Sequence, residues 1–202
     1  SSLFFNKIIL EQHSFPKKLN FLKNIIFTQK RKVIVLTSFL KKRFIDAGII
    51  EKNIVVAGSA VDLEEFLKDR KKIDITEISE HDFVFGYIGT LKTMNMEKGV
   101  YDCVSALTFL PLNFKFLIVG GEINDIDYYK KVAKEKKVLD RCVFVGKVLH
   151  KDISSYVSMC NVFVAPFPEN EHYSYFMSPL KIFEYMASKR PIISTALPSI
   201  TE

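Results

Sequence analysis

The 202 residues include no tryptophan and only three cysteines. Cys103, Cys142 and Cys160 are far apart, sit in apolar surroundings and have no metal-ligand spacing. That excludes a zinc knuckle or a disulfide framework and is the pattern of buried thiols in a reducing compartment. No stretch approaches the ~20 apolar residues a membrane span needs. The opening residues Ser1-Ser2-Leu3-Phe4-Phe5-Asn6-Lys7 lack the long apolar stretch and cleavage site of a signal peptide. A soluble, cytoplasmic protein is therefore expected. There is no internal repeat and no low-complexity tract. The basic residues are scattered and come with no stacking platform, which argues against nucleic acid as a partner.

What is present is a globular composition. Hydrophobic residues make up 48% and charged residues 26%, enough apolar material for a sizeable core. The length suits one large domain, or one domain and part of another. The net charge of +6 is a modest positive field that attracts anions such as phosphates.

Short apolar runs alternate with helical spacing along most of the chain. Lys7–Gln12, Val33–Leu36 and Asn53–Ala57 read as strands. A helix is expected over Phe39–Ala47, with Ser38 as N-cap and Gly48 just past its end. Residues 67–82 are dense in charged and polar groups and mark a linker, which leaves 1–66 as a partial first domain and 83–202 as a second. In the second, strands are expected at Phe83–Ile88, Lys115–Val119, Cys142–Val145, Asn161–Ala165 and Pro191–Ser194. Helices are expected at Lys98–Leu107, Asp125–Lys137, Lys151–Met159 and Pro179–Ser188. Continuously apolar strands separated by helices indicate an α/β fold, a doubly wound parallel sheet covered on both faces. Its strands run into Gly89, Gly120-Gly121, Gly146, Pro166 and Thr195. The loops after the carboxyl ends of parallel strands share one edge, and ligands bind there.

The most informative stretch is Ser178-Pro179-Leu180-Lys181-Ile182-Phe183-Glu184-Tyr185-Met186-Ala187. Ser178 at N-cap and Pro179 at the first helical position read as a helix start, whose free N–H groups form an anion site. Lys181 in that first turn opposes the helix dipole, a conflict that a bound diphosphate would remove; a lysine extended into water is the alternative. Glu184 is a carboxylate on an apolar helix and wants a partner, either a ribose diol or an internal salt bridge. The loop Gly89-Thr90-Leu91-Lys92-Thr93-Met94-Asn95-Met96-Glu97-Lys98-Gly99 is bounded by glycine and carries two lysines, with Lys98 at the start of the next helix. Phosphate neutralisation and solvated loop lysines both remain open for it.

These segments resemble the family 4 glycosyltransferases. The similarity lies in Ser178–Ala187 with Pro191-Ile192-Ile193, in Ile88-Gly89 through Lys98-Gly99, in Val119-Gly120-Gly121 and in Val143–Gly146. Val33–Ser38 and Val61–Phe66 resemble the family's pieces before the interdomain hinge. The resemblance implies a GT-B fold of two Rossmann-like domains that binds a nucleotide-diphosphate sugar mainly in the second. It also implies retention of anomeric configuration, and no metal or cofactor. By motif position Glu184 would hold the ribose and Lys98 the diphosphate. Gly89, Thr90, Lys92, Ser178 and Lys181 would line the donor site, and His13 would stand near the donor sugar as a catalytic candidate. The sequence departs from the pattern at Phe176, where many members have a glutamate, at Thr90, where many have arginine, and at Lys189, where glycine is usual.

The first domain lacks its opening βα units and the chain stops at Glu202, so a fragment is expected. The implied partners are a nucleotide-sugar donor and a glycan or lipid-linked acceptor, with peripheral membrane contact in the lipid case. A non-catalytic nucleotide-sugar or partner-binding module and a nucleotide-sugar epimerase on the same fold are the competing readings.

Overall fold

The computed structural model describes residues 9–16, 32–68, 70–93 and 96–202. The chain divides into two compact units. One comprises the residues up to Ser59 together with Glu169–Pro179 and Ala196–Glu202; the other comprises Ala60–Pro168 and Leu180–Thr195.

In the first unit, β1 (Ile9–Gln12), β2 (Lys32–Val35) and β3 (Ile54–Val56) form a parallel sheet in that order. Lys7 and Ile8, expected to open β1, lie outside the described residues. Between β2 and β3 runs α1 (Ser38–Asp46). Its N-cap is Thr37, not Ser38. Thr37 has extended backbone and its Oγ1 accepts from Leu40 N at 3.1 Å, whereas Ser38 is already helical and its N–H donates to Glu202 Oε1 at 2.6 Å. Gly48, with φ 92°, ends the helix as expected. Val33, Val35, Leu40, Phe44, Ile49 and Ile54 make the core, and a π-helical turn over His172–Phe176 adds Phe176 to it. Phe176 is thus a core residue, with Arg43 over its ring.

The second unit contains β4 (Phe83–Ile88), β7 (Phe114–Val119), β8 (Cys142–Gly146), β9 (Val162–Ala165) and β10 (Ile192–Ser194). All pairs are parallel and the order is β10-β9-β4-β7-β8. A two-stranded hairpin, β5 (Lys92–Thr93) and β6 (Met96–Glu97), follows β4. The helices are α2 (Leu63–Lys68), α3 (Val100–Ala106), α4 (Ile123–Glu135), α5 (Ile153–Val157) and α6 (Leu180–Ala187). The short α7 (Pro198–Thr201) belongs to the first unit.

Five of the six β4 residues are buried, which is why that strand reads as an unbroken apolar run. Phe85 stacks on Phe116 at 4.6 Å, inside a core that also takes in Tyr87, Val104, Ile118 and Tyr129. The three thiols are free and buried, and burial pushes each up to about 12, so none is a thiolate near neutrality. On one side of the sheet an open apolar groove of about 850 Å³ runs past Phe85, Cys103, Val164 and Ile193.

Two helices are shorter than their apolar spacing implies. Gly99 has φ 79° and is the N-cap of α3, so Lys98 precedes the helix instead of opening it. A Cβ at Gly99 would lie 1.9 Å from the Pro166 carbonyl, which excludes any other residue there. The predicted helix Lys151–Met159 contracts to α5, with a 3-10 turn over His150–Asp152 before it. Strand order reverses around β4, since the chain passes outward through β7 and β8 and then returns to β9 on the other side. A crevice outside the carboxyl ends of β4 and β9 is where a doubly wound sheet binds its ligand.

Candidate functional site

Near the carboxyl end of β4 lies the buried Tyr87. Its hydroxyl donates to the Thr90 carbonyl at 2.8 Å and fixes the turn after β4. Over its ring, 3.7 Å from the centroid, lies the ammonium of Lys181, with the Phe167 ring at 5.4 Å. Lys181 is the second residue of α6. The helix is tied to the end of β4 by Tyr185, whose hydroxyl accepts from Ile88 N at 2.8 Å and donates to Ile88 O at 3.2 Å. Phe163 stacks on Tyr185 at 4.2 Å and holds it there.

The Lys181 Nζ is buried and has no hydrogen-bond partner. Burial above all, and then the charge of Lys98, drives its pKa well below the ordinary lysine range, while Glu184 pulls the other way. A Cβ at Gly89 would stand 3.2 Å from Nζ, so glycine there makes room for the lysine. Lys98 donates to Thr90 Oγ1 at 2.8 Å, and desolvation lowers its pKa as well. Glu97 fixes this arrangement from behind. Its carboxylate accepts from Gly99 N, from Tyr101 N at 3.1 Å and from the Tyr129 hydroxyl at 2.7 Å. Sequence reading missed Glu97; its place just before a glycine that starts a helix was the available signal.

Glu184 is 6% exposed, and its Oε1 is 3.2 Å from Nε2 of His150 in the turn after β8. Neither proximity in sequence nor periodicity joins His150 to Glu184; only the parallel topology brings them together. Two lysines and a carboxylate thus converge on glycine-rich turns at one sheet edge. The lysines offer positive charge to an anion and the carboxylate offers acceptors to hydroxyls. Among the described residues, no group of three or more His, Cys, Asp or Glu side chains is placed to hold a metal ion.

Residues 82–202, well over half of the chain, match the family model for glycosyl transferases group 1. The chain belongs to that family. TuaH of Bacillus subtilis (strain 168), whose name assigns it to teichuronic acid biosynthesis as a glycosyltransferase, is 24% identical over 119 residues, which are 59% of this chain and 28% of TuaH. Among solved structures, Anabaena HepE in complex with UDP and glucose superposes with a TM-score of 0.69 at 18% identity, over 96% of this chain and 54% of HepE. A glycosyltransferase from Rickettsia africae ESF-5 gives 0.71 at 20% identity, over 95% and 52%. The fold is therefore the GT-B type, and the chain spans about half the length of these structures.

Within this group 1 glycosyl transferase chain, three expected site residues are engaged elsewhere. Lys92 pairs with Asp125 at 3.1 Å and lies 5.2 Å over the Tyr128 ring, so its ammonium is committed to α4. Ser178 is not seen capping α6. Its Oγ accepts from Ser59 N at 2.8 Å and its carbonyl from Ser59 Oγ at 2.7 Å, both within the first unit, and the helix begins at Leu180. His13 also belongs to the first unit, exposed at the end of β1, with Nε2 2.8 Å from Glu11 Oε1. Gly89, Thr90, Lys98, Lys181 and Glu184 are the residues brought together. Lys189 takes the strained φ of 58° expected where relatives have glycine.

Proposed function

We propose that the chain binds a nucleotide-diphosphate sugar at this crevice, as the donor half of a glycosyltransferase. The enzyme would transfer the sugar to a glycan or lipid-linked acceptor with retention of configuration. The observation that carries the reading is the buried Lys181 ammonium, which lacks any hydrogen-bond partner and stands beside a second partly desolvated lysine. A buried cation without a hydrogen-bond acceptor is costly, and a diphosphate supplies acceptors. Glu184 takes the ribose diol, and Gly89 and Thr90 let the phosphates approach the backbone. The Anabaena relative crystallised with UDP and glucose supports this class of ligand.

In transfer, charge builds up on the departing nucleoside diphosphate. Lys98 and Lys181 stand where they stabilise it, so neither metal nor cofactor is called for. Retention would follow from front-face attack by the acceptor. Among the described residues no helix is long and apolar enough to cross a membrane. A cytoplasmic protein that meets a lipid-linked acceptor at the inner membrane face fits this reading.

The test is calorimetric titration of the 202-residue chain with UDP, GDP, ADP and their hexose conjugates, beside Glu184→Gln. One nucleotide series should bind. Loss of the carboxylate charge facing the diol should weaken it roughly tenfold, the order expected for one charged hydrogen bond. A folded chain that binds none of them at millimolar concentration would overturn the proposal.

A further inference from the structure

Glu184 is a buried carboxylate with an exposed partner. Only 8% of its side chain meets solvent, against 71% for His150. Below the carboxylate are α6 and the buried Tyr185; on its open side stands the imidazole, its Nε2 3.2 Å from Oε1. The charged groups around the pair are Lys181, which acts on Glu184 from the inner side, and Lys151 and Asp152, which flank His150 in its turn. That turn is one 3-10 loop, closed by Asp152 N donating to Leu149 O at 2.9 Å, and its side chain is free to rotate toward water.

We propose that His150 guards the ribose-binding carboxylate. It holds Glu184 Oε1, and the ribose diol of an arriving nucleotide takes that position and turns the imidazole out to solvent. The inference rests on the reading of Glu184 as the diol acceptor and goes beyond it, because it makes His150 a competitor of the nucleotide. A contact with one exposed partner is weak, so displacement costs little. It should still be measurable, because breaking a contact worth up to ~1 kcal/mol corresponds to as much as about fivefold in affinity. The competition concerns the ribose alone. A ligand with phosphates and no sugar does not touch Glu184 and should not sense His150.

The experiment titrates the full chain with whichever of UDP, GDP and ADP the wild type binds best, and with inorganic pyrophosphate. It uses wild type, His150→Ala, His150→Gln and Glu184→Gln. His150→Ala should tighten the nucleotide about three- to fivefold and leave pyrophosphate unchanged. His150→Gln keeps a donor for Glu184 and should return the affinity toward wild type. Because His150 is exposed, both variants should stay folded and lose no more than about 4 °C in melting temperature, and that measurement accompanies each titration. Weaker or unchanged nucleotide binding in His150→Ala, or an equal shift for pyrophosphate, would overturn the guard. The two readings fail differently. If no nucleotide binds, or binding ignores Glu184→Gln, the diol assignment falls and the guard with it. If binding depends on Glu184 yet ignores His150, the guard alone falls.

Discussion

Arg141→Ala should cost on the order of 3–5 kcal/mol of stability, because it removes four hydrogen bonds of a buried charged group at about 1 kcal/mol each. Arg141 is 6% exposed and its guanidinium serves four backbone carbonyls. Nε donates to Phe114 O at 3.1 Å, one Nη to Leu107 O at 2.8 Å, and the other to Leu110 O at 3.2 Å and Pro111 O at 2.7 Å. These carbonyls belong to the end of the α3 segment, the loop behind it and the first residue of β7. Leu107 O and Pro111 O also accept from Leu110 N at 3.3 Å and Phe114 N at 3.0 Å, and one planar fork ties these turns to the start of β7. Alanine would remove all four charge-assisted bonds at once, and no apolar contact would compensate. Lysine keeps the charge but lacks the fork geometry, so Arg141→Lys should recover only a minor part of the loss. Urea unfolding with the slope held fixed measures both. Because a domain has only about 5–15 kcal/mol to lose, Arg141→Ala should leave little of the folded second unit. An alanine variant within 1 kcal/mol of wild type would show that water replaces the fork at no cost.

Arg141 also marks what a sequence does not disclose. The strand Phe83–Ile88 is observed at the bounds its apolar run implies, and the other strands of that sheet shift by a residue at an end. Burial on both faces imprints itself directly on composition, so a parallel sheet is legible. Helix starts were less so. Thr37 and Ser38 are both capping types, and which one caps depends on where Glu202 lies, far away in sequence. Ser178-Pro179 has the composition of a helix start, yet Ser178 bonds to Ser59 instead. Lysines behaved in the same way. Lys92, Lys98 and Lys181 look alike as letters, but Asp125 neutralises the first, Thr90 holds the second and the third has aromatic rings and no hydrogen-bond partner. Local spacing lists the groups available to a site; long-range pairing decides which of them remain uncommitted.

Lys181→Met tests that distinction, because it should act in opposite directions on folding and on binding. Methionine fills a similar apolar path beneath Phe167 and over Tyr87 and needs no hydrogen bonds. Removing a buried, unsatisfied polar group is worth about 1–3 kcal/mol. The attraction of the Tyr87 ring for a cation opposes this, by up to ~2 kcal/mol when desolvated. Burial, the first cause of the lowered Lys181 pKa, adds a further cost of the charged form to that of the unsatisfied group. The variant should therefore be more stable than wild type near neutral pH. The sign of the pH dependence follows. The folded pKa lies below the ordinary 10.5, so between those values the unfolded chain holds a proton that the folded chain has lost. Wild-type stability rises with pH across that window, and the cost is fully present below it. The advantage of Lys181→Met should accordingly shrink as pH climbs toward 10.5. Nucleotide affinity should fall ten- to a hundredfold, the loss of one charge-assisted contact of about 1.5–3 kcal/mol. Unfolding curves at several pH values, with a nucleotide titration on the same samples, read both effects. A variant that is destabilised and binds as wild type does would make Lys181 a packing residue. One that is stabilised and fails to bind shows an ammonium kept in the core at a stability cost, in a place where only an arriving anion satisfies it.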